Sequence, residues 1–159
     1  MKEFVYKSFR IVLILLIITT VIHAFYQSSL PPQESAEVSN KVGEVIEEVI
    51  PPDTKPGEYI QKNLRKLAHF SEFFFLGCCT SLYVVIYLRK RSGFIALLPF
   101  GLVTASVDEA IQIFSHRCPS VKDVLIDMLG YSSALLIVLA IFLFVLVLRR
   151  KYLGRSLNG

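Results

Sequence analysis

The chain has 159 residues, of which 53% are hydrophobic and only 19% are charged. Its apolar residues form blocks long enough to cross a bilayer as helices, which takes about 20 residues, instead of recurring at the intervals typical of soluble domains. This composition predicts one small integral membrane unit with no room for a separate catalytic domain. The net charge of +4 does not favour nucleic acid as a partner, because the basic residues flank apolar segments.

Four apolar segments predict transmembrane helices at about residues 9–26, 68–88, 93–114 and 124–148 of a single membrane domain spanning residues 1–159. The first segment lacks an Ala-x-Ala cleavage site, so we interpret it as an uncleaved helix. The three cysteines, Cys78, Cys79 and Cys118, match neither a metal motif nor a disulfide framework. The expected fold is an all-α integral membrane protein.

Residues 27–61 form a polar, acidic segment between the first two apolar blocks, with proline pairs at residues 31–32 and 51–52. Helical spacing of apolar residues predicts a short amphipathic helix outside the membrane. Two interpretations remain open: a lid resting on the protein, or a solvated connector. The spaced apolar residues are Val38, Val42, Val45, Ile46 and Val49.

Basic residues predict the orientation through the positive-inside rule. If both termini are cytoplasmic, the inner side holds 10 of the 17 basic residues and one of the 13 acids. The inner clusters are Lys2–Arg10, Arg89–Arg91 and Arg149–Arg155. We therefore expect a multi-pass protein of the cell membrane with cytoplasmic N and C termini.

Ionisable residues stand inside three of the predicted helices, near their outer ends. A charge at a bilayer centre costs roughly 2.5–3.5 kcal/mol or more, so such residues usually mark function. At 1.5 Å per residue, Glu72 lies about 9 Å below Lys66, and Asp108 about 10 Å below Ser115. The helices therefore project these groups to one common level. Gly130 and Ala134 form a small-xxx-small pair, which permits close helix approach beneath that level.

The chain resembles the VanZ-like membrane proteins. The resemblance spans about residues 23–134 and depends on several elements taken together. They are Phe25-Tyr26-Gln27-Ser28-Ser29, Ser35, Ser39, the stretch Arg65–Phe73, Asp108-Glu109-x-x-Gln112-x-Phe114, Arg117, and Asp123-x-x-x-Asp127-x-x-Gly130.

The resemblance implies a multi-pass bacterial membrane protein, in a family named for low-level resistance to the glycopeptide antibiotic teicoplanin. It assigns no substrate or reaction. This chain departs from the family pattern at His116, where Gly usually precedes the loop arginine, and at Ala134, where a second Gly is common. The loop before Asp123 also looks about one residue short.

Three hypotheses follow for the polar residues. The first is an outward-facing site that binds or acts on an envelope or lipid-linked molecule, with a cell-wall precursor or a glycopeptide as candidate partner. In its enzymatic form His69 or Glu72 is the general base, a carboxylate is the acid and water is the nucleophile. The candidate catalytic residues are His69, Glu72, Asp108, Glu109 and Asp127, and the candidate substrate-binding residues are Arg65, Lys66, Gln112, Arg117 and Asp123.

The second hypothesis is a divalent metal site built from His69 and Glu72 with Asp108 and either Asp123 or Asp127, a hard nitrogen and oxygen ligand set. The third is a non-enzymatic accessory protein whose ionic residues lock helix packing. In that case the basic side chains pair with the acids. The basic residues expected to do so are Arg65, Lys66 and Arg117.

Overall fold

The four apolar segments each form one long helix, and a shorter helix lies between the first two. The computed structural model describes residues 2–88 and 91–156. Four of its helices contain stretches long and apolar enough to cross a membrane, which confirms the predicted all-α membrane class. The helices are α1 (Lys2–Ser29), α2 (Pro32–Glu47), α3 (Lys55–Tyr83), α4 (Arg91–Phe114) and α5 (Val121–Ser156).

Helices α3 and α5 begin earlier than hydropathy indicates. The third helix starts at Lys55 and not near residue 68, because the Thr54 hydroxyl accepts a hydrogen bond from the Gly57 amide (3.2 Å) and caps the helix. Ser120 precedes α5, and its hydroxyl accepts from the Lys122 amide at 3.2 Å. Apolar composition marks the part of a helix that lipid covers, whereas side-chain caps set where the helix begins.

Helix α3 continues into a π-helical segment, Val84–Leu88. Reciprocal bonds tie this segment to the start of α1: the Tyr6 hydroxyl donates to the Ile86 carbonyl (3.2 Å), and the Tyr87 hydroxyl donates to the Tyr6 carbonyl (2.9 Å). Helices α1 and α3 are therefore antiparallel neighbours. Arg89 and Lys90, predicted to form a cytoplasmic basic turn, lie outside the described residues.

Close packing of α3 on α5 forms the centre of the bundle. A Cβ atom on Gly130 would lie 2.3 Å from the Phe70 carbonyl oxygen, and one on Gly77 would lie 2.9 Å from the Ala134 Cβ. Neither glycine leaves room for a side chain, so the backbones of the two helices are in contact, as the small-residue pair predicts. The buried core around this contact consists of Phe73, Leu76, Ala105 and Tyr131.

Helix α2 packs beside the first half of α3. A Cβ atom on Gly43 would make ordinary contact with the side chains of Gln61 (3.4 Å) and Leu64 (3.5 Å). Val38 and Val42 line a cavity shared with α3, while Val45 is 65% exposed. These contacts favour the lid interpretation over the solvated connector. We call the end of the bundle beneath α2, with the loop between α4 and α5, the covered end.

The glycine contact gives a first prediction. Replacing Gly130 by Ala should lower the melting temperature in detergent by about 3–10 °C, because the new methyl group meets backbone atoms and forces α3 and α5 apart at a cost of about 1–3 kcal/mol. Gly43→Ala is the matched control, and its melting temperature should stay the same or rise, since Ala favours a helix interior. Equal losses in the two variants would contradict the proposed backbone contact.

Candidate functional site

Three helices bring His69, Asp108 and Asp127 together at the covered end. The His69 Nδ1 atom lies 3.5 Å from Asp127 Oδ1 and 3.8 Å from Asp108 Oδ2. Both aspartates are fully buried, and His69 is 9% exposed. Residues from α3, α4 and α5 therefore meet at one level, as the helical spacing predicts.

Most of the polar atoms in this cluster have no hydrogen-bond partner. They are the Nδ1 atom of His69, the Oδ1 atom of Asp108 and both carboxylate oxygens of Asp127. A buried polar group without a partner costs roughly 1–3 kcal/mol, and charged groups cost more. Such atoms are uncommon in native proteins, where ordered water, a bound ion or a chemical role accounts for them.

By contrast, the neighbouring polar residues are connected to one another. The Gln112 amide nitrogen donates to Glu109 Oε1 (2.8 Å), and the Gln112 amide oxygen accepts from Arg65 Nη2 (2.7 Å). The Ser120 backbone amide donates to Glu109 Oε2 at 2.6 Å. This network joins α3, α4 and the start of α5. Glu109 and Gln112 therefore hold these elements together.

Ser28, at the end of α1, is a site residue that sequence reasoning did not single out. Its hydroxyl donates to Asp108 Oδ2 (2.7 Å), and its carbonyl accepts from the Ser115 hydroxyl (2.9 Å). Ser28 is fully buried. The available signal was its place in the Gln27-Ser28-Ser29 element, just beyond the first apolar segment. Through Ser28, α1 fixes the orientation of the Asp108 carboxylate.

The predicted pairing of basic residues with acids is wrong. Within residues 2–88 and 91–156, no nitrogen of Arg65, Lys66 or Arg117 lies within 4.0 Å of a carboxylate oxygen. For Arg65 the reason is the Gln112 amide, which accepts from Arg65 and donates to Glu109 and so lies between them. Lys66 is exposed and borders, with Asp123, a separate cavity of about 200 Å³ that also reaches His69.

A cavity of about 80 Å³ lies between α2 and α3 at the covered end. Two nitrogens of Arg117, Nε and Nη2, are buried and have no hydrogen-bond partner. Burial, and then the like charge of Arg65, lower the pKa of the Arg117 guanidinium from its usual value. The space has room for several waters or one small anionic group. It is lined by Gln27, Ser35, Val38, Ser39, Val42, Leu64, Arg65, Ala68, His69, Glu72 and Arg117.

Glu72 connects this cavity to an open groove between α1 and α3. It lines both spaces, and its Oε1 atom lies 3.1 Å from Nδ1 of His23. The sequence gives no sign of the contact between His23 and Glu72, because the two residues are on different helices. The groove has a volume of about 380 Å³ and includes Thr19 and Thr20.

Comparison with known proteins agrees with this architecture. Residues 9–148 match the family model described as VanZ/LLP1. The chain belongs to this family. No curated protein and no solved structure gives a match. The resemblance found in the motifs is thereby confirmed, and the chain is a VanZ-like multi-pass membrane protein.

The departure from the VanZ-like pattern at His116 has a structural consequence. His116 has a φ of 58°, in the left-handed region that favours glycine. The Arg117 amide donates to the Gln112 carbonyl (3.0 Å) and the His116 amide to the Ile113 carbonyl (3.3 Å), which is a Schellman motif that ends α4. The usual Gly fits this backbone, and the turn directs Arg117 toward the cavity.

We therefore predict that His116→Gly stabilises the protein. Removing the left-handed backbone strain stabilises the folded state by about 1–2 kcal/mol, which exceeds the cost of the larger conformational entropy that glycine gives the unfolded chain. The melting temperature in detergent should therefore rise by about 1–4 °C. His116→Val should lower it, because a β-branched residue is an outlier at positive φ. A Val variant as stable as the Gly variant would contradict the Schellman turn.

Proposed function

We propose that this VanZ-like protein binds the anionic head group of an envelope lipid or lipid-linked cell-wall molecule in the cavity beneath α2. The observation that carries the proposal is the pair of buried Arg117 nitrogens, Nε and Nη2, which have no partner inside the protein. Together they form one edge of the guanidinium plane. That edge matches two oxygens of a phosphate or carboxylate.

The surroundings of Arg117 support an anion over a neutral ligand. Arg65 lines the same cavity and adds a second positive charge, while Ser35 on α2 adds a hydroxyl group. The Ser39 hydroxyl also lines the cavity, but its proton is donated to the Ser35 carbonyl (3.0 Å). An anion bound here would relieve the repulsion between the two arginines and supply the acceptors that Arg117 lacks.

The groove next to Glu72 supports a lipid over a soluble anion. It lies between α1 and α3, along helices that the bilayer surrounds, and adjoins the head-group cavity at one side chain. The hydroxyls of Thr19 and Thr20 donate to carbonyls of their own helix, at 2.8 and 2.7 Å, so these donors are already used. A hydrocarbon chain can therefore lie along this wall while its head group enters the cavity.

The proposed orientation places the covered end outside the cell and both termini in the cytoplasm, following the basic clusters of the sequence. Cell-wall precursors are assembled into the wall on that side, where glycopeptide antibiotics such as teicoplanin act. The family name therefore fits an envelope ligand. The proposal is a binding function, and the catalytic roles predicted for His69, Glu72, Asp108, Glu109 and Asp127 stay predictions.

The second candidate function is that of an accessory protein whose polar residues lock the helices. The hydrogen-bonded network around Gln112 favours it, because that network joins three elements of the bundle. It does not account for Arg117, whose buried nitrogens join no part of the network. The two candidate functions differ in their dependence on Arg117. Loss of ligand binding on substitution of Arg117, with the fold unchanged, would favour the binding function over the accessory role.

Native mass spectrometry of the purified protein tests the proposal. Detergent-solubilised wild type should bind phosphatidylglycerol and a polyprenyl phosphate, but phosphatidylcholine at least 10-fold more weakly. Arg117→Gln should weaken binding of both anionic lipids about 10-fold or more, since a charge-assisted bidentate contact contributes about 1.5–3 kcal/mol. Arg117→Lys should give an intermediate loss, because it keeps the charge and loses the planar fork.

Arg150→Gln is the matched control for this experiment. It removes the same charge from the exposed far end of α5 and should leave lipid affinity unchanged. Melting temperatures of all variants show whether the fold is retained. Equal lipid affinities of Arg117→Gln and Arg150→Gln, in folded proteins, would overturn the proposed binding site.

The proposed orientation is tested with a native cysteine. Cys118 is exposed in the loop at the covered end, whereas Cys79 is buried within α3. A membrane-impermeant maleimide applied to intact cells should label the wild type, and Cys118→Ser should abolish the labelling. Labelling that requires permeabilised cells would place the covered end in the cytoplasm and contradict the outward orientation.

A further inference from the structure

The cluster of His69, Asp108 and Asp127 combines one imidazole with two carboxylates in the interior of the bundle. Each side chain offers one ligand atom, and these atoms lie within 4.8 Å of one another. We propose that this cluster binds one divalent cation of the Zn²⁺ or Mn²⁺ type. Imidazole and carboxylate together suit these ions, whereas Mg²⁺ and Ca²⁺ favour sites made of oxygen alone.

The spacing of the ligand atoms fits an ion of this size. Zinc bonds to histidine nitrogen and carboxylate oxygen are about 2.0–2.2 Å long, which puts neighbouring ligands of a tetrahedral centre about 3.4 Å apart. The His69 Nδ1 atom lies 3.5 Å from Asp127 Oδ1 and 3.8 Å from Asp108 Oδ2. These separations, with all three ligand atoms within 4.8 Å of one another, are close to those of a tetrahedral centre.

The buried polar atoms without hydrogen-bond partners are a second observation, independent of the spacing, that supports a bound cation. Asp127 is fully buried, and its Oδ2 atom has no partner; Asp108 Oδ1 also has none. Asp127 Oδ1 and His69 Nδ1 lie 3.5 Å apart, outside hydrogen-bond geometry. Two carboxylates beside a single imidazole leave an excess of negative charge in an apolar bundle, which a divalent cation neutralises. Ser28 donates to Asp108 Oδ2, the oxygen that lies 3.8 Å from His69 Nδ1, at 2.7 Å. This hydrogen bond orients the Asp108 carboxylate, as outer hydrogen bonds orient metal ligands.

His69 also lines the cavity that contains Arg65 and Arg117, so the cluster adjoins the space beneath α2. Three protein ligands leave at least one coordination position open. If that position faces the cavity, the cation and Arg117 can bind the same phosphate group. This shared binding rests on the proposed function, whereas cation binding by the cluster does not.

The test uses the full-length protein in detergent, stripped with EDTA and then dialysed against micromolar Zn²⁺ or Mn²⁺ without added lipid. We expect about one ion per chain by elemental analysis. The melting temperature should rise by about 5–10 °C at a 100-fold excess over Kd. Pulsed electron paramagnetic resonance of the Mn²⁺ form should show coupling to one histidine nitrogen.

Variants assign the ligands. His69→Gln and Asp127→Asn should each lose the stoichiometric ion and the melting shift. Asp123→Asn, one turn earlier on α5, is the matched control and should retain both. The Mn²⁺ spectrum of the wild type tests the site even if a variant fails to fold, because it reports the nitrogen ligand directly.

Two outcomes overturn the cation site. One is a wild type that binds no stoichiometric Zn²⁺ or Mn²⁺, which would leave a protonated His69 paired with the carboxylates. The other is an ion retained by folded Asp127→Asn and His69→Gln. Either result can occur while Arg117 still binds lipid, so failure here is distinguishable from failure of the proposed function.

Discussion

Ionisable side chains within the helical bundle depend on partners from other helices, because lipid offers no hydrogen bonds. This constraint divides the polar residues into two groups. Glu109 and Gln112 find partners on α3 and at the start of α5, and they join these elements. Asp127 and Arg117 keep buried polar atoms without partners. The first group explains how the covered end holds together, and the second supports the proposed ligand sites.

Glycine packing makes the polar cluster possible. Gly130 lies against the Phe70 carbonyl, so the backbones of α3 and α5 touch beside His69. Asp127 stands one turn before Gly130 and is thereby brought within 3.5 Å of the His69 imidazole. Larger residues at the contact would separate the two helices and draw the carboxylate away from the ring. A packing feature of the membrane interior therefore sets the geometry of the site.

The covered end places two kinds of chemistry next to each other. Helix α2 closes a small cavity over α3, and the Schellman turn at His116 directs Arg117 toward that cavity. Beneath it lie the carboxylates of Asp108 and Asp127, with His69 reaching both regions. A positively charged cavity above a negatively charged cluster suits an anionic group and a cation bound side by side.

The sequence by itself determined the all-α membrane class, the four apolar helices and the family, because hydropathy, helical spacing and motifs are local properties of the chain. It also indicated that His69, Asp108 and Asp127 lie at one depth, since rise per residue fixes depth. Only the tertiary structure decided which side chains pair: Gln112 comes between Arg65 and Glu109, Ser28 reaches Asp108, and His23 contacts Glu72. Those pairings depend on helix rotation and on contact between distant segments, which periodicity within one helix does not specify.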